Sequence, residues 1–388
     1  YLTYNDTGAP AWFTLKLANP SARPLTLRLF EPGFGAGSLD DADLTLAVAA
    51  GDTVFHSARL AVGEMLLAVV TRDPRLAGEA AYSIFSYVAK PDLEAATPDG
   101  WFANVVPQVG TPYAASGSVP APAALIGDAD TTGIYWSLRN ASPAAGVPVG
   151  LQRRLDLDGA FLAGSLFVDP LAPGQEVKAA YGGRLNVRGG RHALTHRINH
   201  ARTVDEDDYA DDTHGRQWVW SPRLLAANAY HALPAPPSPY GGLWLVDEGL
   251  VAPNCDGYRF TTSVPTRTST LFAAYAVAPD GDVDIGLYSG ADPQDGFTTA
   301  LAQSVWSGPG CDFVLRFITG PAFVSHNLGA VRVSGIAGSF TLRAGADASS
   351  WSLPVGGSRS GTVEAGTYLD TAVLVLPPGV FRFTLQSD

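Results

Sequence analysis

Hydrophobic and polar residues alternate along this chain in short bursts, most clearly between Gly189 and Pro222. From His192 the even positions read His192, Leu194, His196, Ile198 and His200, and the odd ones Ala193, Thr195, Arg197 and Asn199. A period of two after a double glycine is a strand signature. An acidic stretch from Asp205 to Asp212 follows, and Gln217-Trp218-Val219-Trp220 then reads as a second strand stopped by Ser221-Pro222. The expected unit is a β-hairpin turning through acidic residues.

The same grammar holds elsewhere. Strand-length apolar runs at 11–17, 24–30, 43–48, 66–70 and 81–88 are bounded mostly by Gly, Pro or Asp. Asp158-Gly159, between Leu155-Asp156-Leu157 and Ala160-Phe161, suits a two-residue hairpin turn that needs positive φ. Ile134 to Asn140 supplies another strand, and Ser116 to Ala124 reads as coil between strands. Lys90-Pro91-Asp92-Leu93 and the proline-rich Leu233 to Tyr240 read as linkers, the second semi-rigid. The fold class expected is all-β, as tandem antiparallel β-sandwiches of immunoglobulin-like or jelly-roll-like type. The segment 351–388 holds three apolar runs, too few for a sandwich of its own. It is expected to complete a neighbouring domain or subunit.

Composition sharpens this picture. At 388 residues the chain exceeds one core. Only 16% of residues are charged, 46% are apolar, and 42 glycines with 29 prolines favour turns over long helices. A net charge of −12 without a basic cluster argues against nucleic acid. No apolar run approaches the ~20 residues of a membrane span. The first residue is Tyr1, in what reads as the edge of a strand, so either a signal peptide has been removed or the parent chain is longer.

Candidate chemistry is sparse. His192, His196 and His200 would line one face of a helix and invite zinc; on a strand the neighbours stand about 13 Å apart, too far for one ion. Asp205, Glu206, Asp208, Asp211 and Asp212 could bind calcium, the one cofactor considered, although the spacing lacks the glycine of an EF-hand loop. The alternative is a solvated charged turn. Asp280, Asp282 and Asp284 begin like a calcium loop but lack its closing glutamate, since position 291 is Ala. They read as a turn entering a strand. Cys255 and Cys311, the only cysteines, form a disulfide or stay as two free thiols. Trp218 and Trp220 share a strand face and either stack on sugar rings or pack in a core. No nucleophile elbow, metalloprotease motif or phosphate-binding glycine loop occurs, so the chain is not expected to be an enzyme.

Gly189-Gly190-Arg191-His192, the strand after it, Val204-Asp205-Glu206 with its acidic tail, and Gln217-Trp218-Val219-Trp220 resemble the end of a cell-adhesion-related domain found in bacteria (CARDB). That resemblance covers roughly residues 91–222 and implies an immunoglobulin-type sandwich. Asp208, Asp211 and Asp212 stand where that family usually has asparagines, and Tyr209 where it has an acid. Val62 to Val70, with Gly78 and Tyr82-Ser83-Ile84-Phe85, resembles the closing hairpin of the pre-peptidase C-terminal (PPC) domain. Asp280 to Tyr288 and Gly329 to Leu342 resemble the same family. The implied layout is a PPC-like sandwich over 1–90, a CARDB-like one over 91–222, a second PPC-like one over 223–350, and the incomplete segment 351–388. The implied role is a secreted bacterial structural or adhesive protein at the cell surface; the incomplete segment 351–388, docking on the first domain of the next copy, would join such chains head to tail into a filament. The alternative is a carbohydrate-binding or substrate-docking appendage of a large secreted hydrolase or peptidase.

Overall fold

The computed structural model describes residues 1–347 apart from 9, 34–37, 111–116, 143–144, 167–168, 242–251, 265–268, 290–296, 298, 308–309, 320–321 and 335–337. The expected incomplete segment 351–388 lies outside the described residues. So do parts of the loops around it.

Strands account for nearly all regular structure, and their residues alternate between a buried and a wetter face. Near the N-terminus, β1 (Leu2–Tyr4), β2 (Ala11–Ala18), β3 (Leu25–Phe30), β4 (Leu44–Val48), β5 (Thr53–Leu60), β6 (Met65–Thr71) and β7 (Ser83–Val88) form a sandwich. A four-stranded sheet, β1-β6-β3-β4, faces a three-stranded one, β5-β2-β7. In β2 the inward positions are Phe13, Leu15 and Leu17, which meet Leu27, Leu29, Leu60 and Leu66 in one core. Each buried leucine is worth about 1.5–3 kcal/mol, so these alternations fix the register.

Next come β8 (Leu93–Glu94), β9 (Val105–Val109), β10 (Ala129–Asn140), β11 (Gln152–Leu157), β12 (Ala160–Leu166), β13 (Glu176–Ala180), β14 (Leu185–Val187), β15 (Gly190–Ile198) and β16 (Thr213–Trp220). Strands β8, β9, β13 and β14 all pair with the long β10. That sheet packs on β12-β11-β15-β16 around Ile134, Trp136, Leu155, Leu194 and Trp220. The hairpin β15–β16 is present as expected, Gly190 opposite Trp220 and Arg197 opposite Thr213. The Asp158-Gly159 turn also forms, with φ of 52° and 81°.

The last nine strands among the described residues are β17 (Arg223–Leu225), β18 (Tyr230–Pro234), β19 (Cys255–Val264), β20 (Ser269–Ala278), β21 (Asp282–Ser289), β22 (Ala302–Ser304), β23 (Gly310–Thr319), β24 (Ala322–Ser334) and β25 (Ser339–Asp347). Sheet β18-β25-β20-β23 covers β17, β19, β24, β21 and β22, with Phe260, Phe272, Ile285, Leu328 and Phe340 between them. Part of the presumed proline-rich linker is therefore strand, because β18 pairs with β25. Its Pro234 sits at the end of an edge strand, where a missing N–H is tolerated.

The hairpin expected over Val62 to Phe85 is absent, and Gly329 to Leu342 forms none either. Strands β6 and β7 belong to opposite sheets of the first sandwich, and β24 and β25 to opposite sheets of the last. In both places the chain crosses the core between strands that are consecutive in sequence. One pairing reaches further than any sequence pattern indicated. Strand β15 bonds β19 at Gly190–Asp256 and Arg191–Cys255, which joins the second and third sandwiches through one nine-stranded sheet, β12-β11-β15-β19-β24-β21-β22, with β16 and β17 attached.

Candidate functional sites at the junctions

The acidic residues Asp205 to Asp212 grip the segment that leaves the first sandwich. Lys90 pairs with Asp205 at 2.8 Å, the Asp207 N–H donates to the Pro91 carbonyl at 3.0 Å, and the Leu93 N–H donates to Glu206 Oε2 at 3.0 Å. The Ala95 N–H donates to the Asp211 carbonyl, and the Tyr87 hydroxyl bonds Asp207. Glu206 is buried, its other oxygen accepting from the Asn199 amide. Desolvation, then the neighbouring Glu206, pushes Asp212 up to about 9, and Asp211 rises to about 6 through burial and Asp92. Asp212 therefore keeps its proton at neutral pH and donates it to Glu206.

The calcium candidates Asp205, Glu206, Asp208, Asp211 and Asp212 are thus drawn into the joint between the first and second sandwiches. The oxygens of Glu206 are spent on N–H donors, Asp212 is protonated, and Asp205 and Asp208 face solvent. Among the described residues, the acidic group whose ligand atoms lie within 4.8 Å of one another is elsewhere: Asp282 and Asp284 of β21 with Asp312 of β23. Asp312 accepts from the Ser304 hydroxyl and from the Trp306 N–H at 3.1 Å. Burial, then Asp312 and Asp282, raises Asp284 to about 6. The Asp-x-Asp pair enters a strand as expected. Its third carboxylate comes from 28 positions further along the chain, measured from Asp284 to Asp312, so local spacing could not reveal it.

At the second junction the backbones nearly touch. Gly190 has φ of +126°, and a Cβ there would lie 2.0 Å from the Cys255 carbonyl. The Gly257 N–H donates to the Gly189 carbonyl at 2.6 Å. A buried network flanks this contact. Asp256 pairs with Arg188 at 2.7 Å and accepts from the Tyr258 hydroxyl; His192 Nδ1 pairs with Asp158 at 2.7 Å, and Asp158 also accepts from the Ala193 N–H. Burial opposes charge on His192, yet Asp158 and Asp256 together outweigh it and hold the imidazole above its ordinary value. Burial lifts Asp256 to about 6 against the pull of Arg188 and His192.

The three evenly spaced histidines part company on the strand. His192 belongs to the junction, whereas His196 bonds Asn104 at 3.0 Å and packs on Trp136 with ring centres 5.5 Å apart. Burial, and then Arg153, keeps His196 well below its ordinary pKa. His200 lies beyond the strand, exposed. Trp218 and Trp220 are core residues, Trp220 fully enclosed with its indole N–H on Thr132 at 2.9 Å, so sugar stacking by this pair is corrected to packing. Cys255 and Cys311 are free thiols on strands of opposite sheets, which removes the disulfide. Sequence reasoning missed Asp158, Arg188 and Asp256, whose partners come from distant strands.

No family model and no curated protein matches the chain. Among solved structures it is similar to the pre-peptidase C-terminal domain of a collagenase from Bacillus anthracis (11% identity over 31% of this chain and 92% of that one, TM-score 0.20). Another is the Aeromonas hydrophila periplasmic inhibitor of g-type lysozyme, PliG (10% identity, 32% of this chain and 98% of that one, TM-score 0.19). A third is the M60 catalytic domain with two CBM51 domains of Clostridium perfringens ZmpB (9% identity, 89% of this chain and 33% of that one, TM-score 0.18). Overlaps this slight carry no weight for fold or role.

Proposed function

We propose that the chain is a secreted structural and adhesive protein whose sandwiches are held in fixed relation, so that it spaces or anchors other molecules at a bacterial surface. The observation that supports this reading is the sheet running unbroken through two cores by way of Gly190 and Asp256. A flexible tether needs no such pairing, because ordinary linkers join domains through few contacts. The acidic grip on Lys90 to Leu93 acts in the same sense at the other junction. The resemblances to CARDB-like and PPC-like modules agree with an extracellular role. Pulling single molecules from both ends tests it: the second and third sandwiches are expected to unfold in one step, and two independent low-force steps would overturn it.

A second reading, a carbohydrate-docking appendage, is favoured by the outer face of β5-β2-β7. Phe55 and Phe85 both stand opposite Lys16, more than half exposed, and Trp12 lies further along the same face. The Lys16 ammonium is 5.2 Å from the Phe55 ring centre. Aromatic faces beside a cation suit acidic sugars. Retardation in gels containing alginate but not dextran, lost in a Phe55→Ala/Phe85→Ala variant, is the expected result; equal mobility in both gels counts against it.

A further inference from the structure

Arg191 is a buried cation with no carboxylate partner among the described residues. It is 4% exposed, its Nη1 makes one long contact of 3.4 Å to the Pro253 carbonyl, and its buried Nη2 has no hydrogen-bond partner among the described residues. Burying an unpaired charge is costly and is ordinarily avoided. Arg191 lines a cavity of about 220 Å³ on the outer face of the nine-stranded sheet, together with Cys255, Asp284, Tyr288, Phe297 and Val331.

The pairing explains how this cavity arises. Gly257 stands opposite Gly329, and Gly329 opposite Gly286, so three neighbouring strands lack side chains in one row. Tyr288 and Phe297 lie over that trough edge to face, 5.3 Å between ring centres; a Cβ on Gly257 would meet Phe297 at 2.5 Å and one on Gly286 would meet the Tyr288 hydroxyl at 2.7 Å. Arg191 pairs with Cys255, the register of β19 on β24 sets Cys255 beside Val331, and Val331 pairs with Asp284. Arg191 and Asp284 thus mark opposite ends of one row, roughly 14 Å apart at ~4.8 Å per strand. The guanidinium end is cationic, the middle apolar and aromatic, and the far end carries the three carboxylates of Asp282, Asp284 and Asp312.

The geometry points to a binding site for a small monocarboxylate with an apolar body, its carboxylate on Arg191 and its body against Tyr288 and Phe297. A guanidinium fork matches a carboxylate in plane and charge. The cavity is smaller than those that hold drug-sized ligands, which limits the body to about one ring. The acidic far end repels a second carboxylate, so monoacids are preferred to diacids. The carboxylate belongs either to a free acid or to the terminal residue of a peptide.

Thermal shift and calorimetry on the full chain test this with phenylacetate, phenylacetamide, glutarate and N-acetylphenylalanine at concentrations around 1 mM and above. Phenylacetate is expected to bind and raise Tm, whereas the amide and the diacid do not. Binding of N-acetylphenylalanine more tightly than phenylacetate identifies a chain end as the natural source; weaker binding identifies a free acid. Arg191→Met is expected to fold with an unchanged or higher Tm and to lose the phenylacetate response. Val331→Trp, which fills the cavity and leaves the guanidinium in place, loses it as well. Equal responses to phenylacetate and phenylacetamide, no response to either acid, or a response retained in both variants would overturn the proposal.

Discussion

The carboxyl of Asp212 hydrogen-bonds the carboxylate of Glu206, and Glu206 in turn holds the backbone N–H of Leu93, 113 positions earlier in the chain. A proton therefore sits at the joint between the first sandwich and the second. What reads in sequence as a run of repelling charges is a clasp built on an acid kept neutral by burial.

The sign of its pH dependence follows. The folded pKa of Asp212, about 9, lies far above the ordinary carboxylate value of 3.8, so its contribution to stability is complete below pH ~4 and declines as pH rises towards 9. Asp211 and Asp256, both raised to about 6, act in the same direction. Denaturation midpoints are expected to fall between pH 5 and pH 9. Asp212→Asn, whose amide donates without a titrating proton, should flatten that slope and add about 1–3 kcal/mol at pH 8. A slope unchanged in the variant would mean that the proton sits elsewhere.

Gly190→Ala should break the second junction. Its Cβ would fall 2.0 Å from the Cys255 carbonyl at a φ that side chains avoid. A loss of more than about 2 kcal/mol is expected, with faster hydrogen exchange at residues 190–191 and 255–257 than in the sandwich cores.

His192 titrates as half of a buried pair. Its folded pKa lies above 6.5, so the pair adds stability that is present below that pH and lost as pH rises through the folded value. Asp158→Asn removes the partner 2.7 Å away and should lower the imidazole pKa, because burial, the largest influence on it, is then opposed by Asp256 alone. Breaking the pair should cost about 3–5 kcal/mol at pH 6. NMR titration of the imidazole measures the first and chemical denaturation the second.

Reducing agent is expected to leave Tm unchanged, since both thiols are free. Cys255 is buried and its thiol is pushed up to about 11 by desolvation, so native alkylation should reach Cys311 first, with both labelled after unfolding.

Sequence by itself determined the pieces. Alternation marked β15 and β16, Asp158-Gly159 marked a turn, and the glycines, prolines and scarce charges marked an all-β chain. These signals are local, carried by side-chain period and by backbone freedom within a few residues. Tertiary structure decided everything that depends on which strand lies beside which. It sent β6 and β7, and β24 and β25, to opposite sheets, closed the acidic run onto Leu93, and enclosed Trp220. It also set Arg191 beside Cys255 at the head of a glycine trough. Pairing between strands far apart in sequence is selected by the burial of whole faces at once. No window of neighbouring residues contains that information.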